Sequence, residues 1–134
     1  MAKSLFPEEM LTSGDMSLDS IASKLTYFHE QLHLLHWQTK SYAEHQALGG
    51  LYDYVHDFKD GVIEKLMGYT GKRPTSIKVG TLSSAQATTV VTELMTFASS
   101  LKSYADTNKF HDTGNLADAL SGEAAKTKYL LTLS

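Results

Sequence analysis

The sequence predicts an all-α protein built as a four-helix bundle, on three observations. Apolar residues recur at alternating steps of three and four along most of the chain. The breaks between these stretches carry Gly, Pro, Ser and Asp, the residues that end and begin helices. The 134 residues suit one core and leave no room for a second.

Residues 1–16 have no period and contain Pro7 and Gly14, so they are expected to form an N-terminal arm ahead of a bundle domain at 17–134. From Ser17 onward, Leu18, Ile21, Leu25, Phe28, Leu32 and Leu35 fall on one stripe and define the first helix. That stripe ends around Lys40 to Glu44. A second follows with Leu48, Leu51, Val55, Phe58, Val62, Leu66 and Tyr69, terminated by Gly68, Gly71 and Pro74. Gly71 to Ser83 reads as the one long connection. Ser83 or Ser84 is expected to cap the third helix, whose stripe is Ala87, Val91, Leu94, Phe97 or Ala98, Leu101 and Tyr104. After a turn at Asp106 to Lys109, Asp112 is expected to cap a fourth helix with Leu116, Leu120, Leu130 and Leu131, interrupted at Gly122.

The long connection bears on topology. Crossing a bundle of about 25-residue helices requires about 38 Å at 1.5 Å per residue. Thirteen extended residues reach roughly 43 to 47 Å, so a crossover needs a nearly straight linker. Length alone permits either bundle topology.

Composition removes several classes of function. The net charge is -3 and the twelve Lys and Arg are scattered, so no basic patch suggests nucleic acid or an anionic membrane. No stretch approaches the length needed to span a bilayer. The N-terminus lacks the positive start and apolar run of a secretion signal. There is no cysteine, which excludes disulfides and thiolate metal sites, leaves His, Asp and Glu as the strong ligands, and makes a reducing, cytoplasmic setting the default expectation.

Five of the six histidines, His29, His33, His36, His45 and His56, lie on the first two helices with Asp53, Asp57, Asp60 and Glu64. At 100° per residue, His45, His56, Asp60 and Glu64 share one flank of the second helix, beside its apolar stripe. Asp60 and Glu64 are four apart and project side by side, a spacing that lets two carboxylates grip one ion. On the first helix, His36 continues the buried line, and Glu30 and His33 sit on a flank near Trp37. His29 and His111 read as structural or surface residues, and Trp37 and the tyrosines as packing and interface residues. A di-metal site within one bundle would require inward carboxylates on all four helices, including a Glu-x-x-His pair on the last. Helix three offers only Glu93, and on helix four Glu123 is followed by Lys126. The flank position therefore favours a site shared across a subunit interface.

The stretch His36-Trp37, His45, Leu51-Tyr52, Asp60-x-x-x-Glu64-Lys65-Leu66 and Gly71-Lys72-Arg73-Pro74 resembles the ferroxidase region of the Dps family of mini-ferritins. The end, Asp112-Thr-Gly-Asn-Leu-Ala-Asp-Ala-Leu through Lys126-Thr-Lys-Tyr129-Leu-Leu, is similar to that family's last helix. The resemblance implies a ferritin-like bundle with a crossover between its second and third helices. It also implies an iron site between two subunits, with His36 and His45 from one chain and Asp60 and Glu64 from the other. Two departures stand out: the family's Asp four residues after the second His corresponds here to Gly49, and the gap from His36 to His45 is three residues shorter than usual. His56, Asp53 or Glu44, near the same flank or its entry, are the candidates to compensate for the missing ligand.

The resulting expectation is a mini-ferritin that binds iron at a homodimer interface and oxidises Fe(II). Ferric storage in a hollow oligomer, such as a dodecamer, would follow. Zinc suits the same donors. Lys3 is the one lysine in the N-terminal arm, which argues against the DNA compaction that Lys-rich tails support in that family. Two other readings are a ferroxidase-inactive structural or assembly protein, with Gly49 as the mark of loss, and a helical adaptor whose flank binds another protein.

Overall fold

Ser17 begins the first helix as its sequence position predicts, its Oγ accepting the Ser20 amide at 3.1 Å. The structure, a computed structural model, describes residues 16–134, so the expected arm at 1–16 lies outside it apart from Met16. The elements are α1 (Leu18–Gln38), α2 (Tyr42–Thr70), α3 (Ala87–Asn108) and α4 (His111–Leu131). The fold is all-α and ferritin-like: α1 pairs with α2 and α3 with α4, while α2 also packs on α4 and α1 on α3. Among the described residues no helix is long and apolar enough to cross a membrane.

The crossover can be followed bond by bond. The Thr75 amide and hydroxyl both donate to the Asp19 carboxylate at 2.6 Å, at the start of α1. The Lys78 amide then reaches Ser23 Oγ at 3.0 Å, Gln31 Nε2 donates to the Ser83 carbonyl at 2.8 Å, and Ser84 Oγ meets Gln38 Oε1 at 3.3 Å. Residues 71–86 therefore run the length of α1, a span of about 31 Å at 1.5 Å per residue, and deliver α3 parallel to α2. These donors hold the Asp19 carboxyl below its ordinary pKa, chiefly through the Thr75 hydroxyl and then its amide.

With α2 and α3 on its inner sides and the crossover on its outer side, α1 is buried nearly all round. Ser23 and Gln31 are buried beside Ile21, Leu25, Phe28 and Leu32 for this reason. The stripes of the first three helices form the core as predicted, except that Tyr69 is exposed and Leu18 and Tyr104 are only partly covered.

Three boundary expectations are corrected. The third helix begins at Ala87, with Gln86 at its N-cap and no side-chain cap, because the Ser83 carbonyl and the Ser84 hydroxyl hold that stretch of the crossover against α1. Asp112 lies in the first turn of α4, Phe110 holds the N-cap position, and the Asp112 carboxylate pairs with Lys65 at 2.7 Å. Gly122 is exposed and does not interrupt α4. That helix buries Thr113, Ala117, Leu120, Ala124, Thr127 and Leu131, a stripe of mostly small residues.

The turn between α3 and α4 is set by Lys109, left-handed at φ 61°, while the Phe110 amide reaches back to the Ala105 carbonyl at 2.9 Å. A β-carbon is strained in that conformation. Lys109→Gly is therefore expected to stabilise the bundle by roughly 0.5–1 kcal/mol after the extra entropy of the unfolded glycine is subtracted, as read from a urea midpoint.

Candidate metal centre on the α1–α2 seam

The hairpin joining α1 to α2 is only three residues long, and its geometry follows from local chemistry. Ser41 caps α2, its Oγ accepting the Glu44 amide at 3.2 Å, while the Glu44 carboxylate accepts the Thr39 hydroxyl at 3.1 Å. Ser41-x-x-Glu44 is a capping-box sequence that starts the helix at Tyr42, several residues ahead of its apolar stripe. The early start puts His45 in the first turn of α2, opposite His36 in the last turn of α1.

These two imidazoles clasp the hairpin. His36 Nδ1 donates to the His45 carbonyl at 2.8 Å, and His45 Nδ1 donates to the His36 carbonyl at 2.8 Å. A carbonyl can only accept, so both rings carry their proton on Nδ1 and present a lone pair at Nε2 when neutral. A ring nitrogen anchored to a backbone carbonyl is the outer-shell arrangement of metal-binding histidines. The rings stack with centroids 3.7 Å apart and planes 17° from parallel. Lone pairs lie in the ring planes, so two nearly parallel rings cannot aim at one ion. Each can ligate an ion of its own.

Gly49 makes this arrangement possible. A β-carbon there would lie 2.9 Å from His36 Cε1 and 3.1 Å from its Nδ1. The space that a side chain at position 49 would need is thus occupied by the His36 ring.

A second cluster continues along the seam. The His29 ring is buried, its Nδ1 lies 3.0 Å from Glu30 Oε1, and its Nε2 lies 3.3 Å from His56 Nδ1. Tyr52 stacks on His29 at 4.7 Å and on His33 at 4.0 Å, and Trp37 covers His33 at 3.7 Å. Burial first, then the Lys59 charge, pushes the His29 pKa below its ordinary 6.5, against the opposing pull of Glu30. The reading of His29 as structural or surface did not bring it together with His56. The signal was present in two facing ladders at a spacing of four, His29–His33–Trp37 on α1 and Tyr52–His56 on α2.

Asp60 and Glu64 are exposed, and neither forms an ion pair with a described residue. They lie 15 and 19 residues beyond His45 on the same helix, about 22 and 28 Å along its axis. One chain therefore does not bring the imidazole pair and the carboxylate pair together. Among the described residues no group of three His, Asp or Glu is placed to hold a metal ion. His56, about 16 Å from His45 along α2, sits with His29 rather than with the His36–His45 pair. Asp53 is exposed, and Glu44 belongs to the hairpin cap. Trp37 and Tyr42, 67% and 76% exposed, flank the imidazole clasp.

A family model described as a family of unknown function (DUF5856) matches residues 36–131, from His36 itself through the last helix. The chain belongs to that family. No curated protein and no solved structure matches the chain.

Two expectations follow for the seam. Gly49→Asp forces the His36 ring aside and is expected to lower stability by about 1–3 kcal/mol, with loss of the slow-exchanging His36 and His45 Nδ1–H signals by NMR. The unfolded chain protonates His29 before the folded chain does, because the folded pKa is the lower one. The contribution of the neutral ring is therefore complete above about pH 6.5 and is lost as pH falls from there through the folded pKa. Urea midpoints should decline from pH 7.5 to 5, with a shallower decline in His29→Gln.

Proposed function

We propose that this chain is a ferritin-like, iron-handling protein whose site is completed by a second copy. His36 and His45 of one chain would face Asp60 and Glu64 of the other, with Fe(II) as the substrate to be bound and oxidised. The observation that carries this reading is the pair of Nε2 lone pairs fixed at the hairpin by backbone anchoring of both Nδ1 atoms. Support comes from the exposed carboxylates one helical turn apart on α2, which have no ion pair among the described residues, and from Trp37 and Tyr42, large aromatics suited to burial between copies. The resemblance of these residues to the ferroxidase region of mini-ferritins supplies the pairing.

In this reading His36 and His45 contribute one imidazole each to separate ions, since their parallel rings do not converge. Asp60 and Glu64 contribute hard oxygens, which favour the ferric product over Fe(II) and can bridge neighbouring ions. Storage of ferric iron within a larger homo-oligomer follows by the same resemblance, and the cysteine-free composition suits the cytoplasm.

The test is mass by light scattering and iron content on one sample, with the rate of Fe(II) oxidation by oxygen or peroxide. An oligomer with stoichiometric iron is expected, with a rate that falls at least tenfold in Asp60→Ala, about the loss that even an outer-shell change produces. The contact between Gly49 and His36 favours a second reading, an assembly protein that keeps the bundle without the ferroxidase chemistry. It predicts an oligomer with no bound iron and identical oxidation rates for wild type and Asp60→Ala.

A further inference from the structure

The His29–His56 pair lies outside the ligand set just described and is independent of it. We propose that His29 Nε2 and His56 Nδ1 form a two-imidazole chelate for a borderline divalent cation such as Zn²⁺, placed midway along the α1–α2 seam, with Glu30 as the outer-shell partner of His29.

Three features point to this. The two nitrogens are 3.3 Å apart. A tetrahedral ion with nitrogen ligands at about 2.0–2.1 Å holds adjacent donors roughly 3.3 Å apart, so the pair already has the bite of one coordination edge. The two rings are tilted by 37°, unlike the nearly parallel rings of His36 and His45, so parallel stacking does not keep their lone pairs from one ion. Finally, the Glu30 carboxylate, 3.0 Å from His29 Nδ1, can only accept when ionised and thereby fixes the proton of His29 on that atom. The resulting carboxylate–histidine pair orients the ring and raises the basicity of Nε2, as carboxylates do behind zinc-bound histidines.

Without an ion, the His56 Nδ1–H donates to the His29 Nε2 lone pair. To bind the ion, His56 moves its proton to Nε2 through solvent, which its exposed position permits. Both lone pairs are then released and the net protonation of the two rings is unchanged. Tyr52 stacks on the His29 face and limits its rotation. Lys59 is the nearby charge opposing a cation, and Glu30 offsets it. With no third protein ligand among the described residues, water completes the coordination shell. An open site of this kind is accessible to exchange.

The experiment is calorimetric titration of Zn²⁺ into the full chain, with long-range proton–nitrogen spectra of the histidine rings. The background is Asp60→Ala/Glu64→Ala, so that success or failure of the iron proposal has no bearing on the result. The expected result is one zinc per chain, with His29 Nε2 and His56 Nδ1 shifting on binding and the His29 Nδ1–H signal retained. His56→Gln changes an exposed residue, and with circular dichroism confirming the fold it should weaken binding at least tenfold. Glu30→Gln should weaken it by a smaller factor while leaving the stoichiometry intact. Ring signals of His29 and His56 that do not move with zinc, or affinity undiminished in folded His56→Gln, would overturn the proposal.

Discussion

The clasp between His36 and His45 is the interaction on which the geometry of the seam depends. Each ring bonds the backbone of the other residue, so two side chains and two carbonyls close a ring of contacts across a three-residue hairpin. The His36 carbonyl lies in the last turn of α1, where the helical ladder has run out, and the His45 imidazole supplies its partner. The His45 carbonyl lies in the first turn of α2, and the His36 imidazole adds a bond to it. The clasp fixes the register of α1 against α2. Every downstream pairing along the seam, Tyr52 with His33 and His56 with His29, inherits that register.

The clasp also has a steric requirement, met at Gly49. A side chain there would collide with the His36 ring, so the two positions act as a unit. Seen only as a missing carboxylate, Gly49 suggests the loss of a ligand. Beside the ring it is the space into which His36 packs. Imidazole stacking therefore fills the space beside Gly49 at this end of the seam.

On the opposite side of α1, the crossover performs a comparable role by different chemistry. Four successive polar contacts, from Asp19 to Gln38, lay residues 71–86 along the helix; the outer two are exposed, and between them Ser23 and Gln31 are buried. Bonds from the crossover to Ser23 Oγ and Gln31 Nε2 offset much of the cost of that burial, while Gln31 Oε1 has no partner among the described residues. Between the clasp and the crossover, α1 is held on every side, and the seam histidines are displayed on a rigid support.

The sequence by itself determined the four helices, the stripes of the first three and the gathering of histidines on the first two, because apolar periodicity and helix-stop residues act over a few turns. It also contained the Ser41–Glu44 capping box and the small-residue stripe of α4, but a search for large apolar residues passes over both. Only the tertiary structure decided which histidines meet. Helical register places residues on a face, whereas the pairing of His36 with His45 and of His29 with His56 depends on how two helices are set against each other by a short hairpin. The direction of the long connection was likewise open by length alone. It was decided by hydrogen bonds between residues some fifty positions apart, a separation at which no local pattern in the chain carries information.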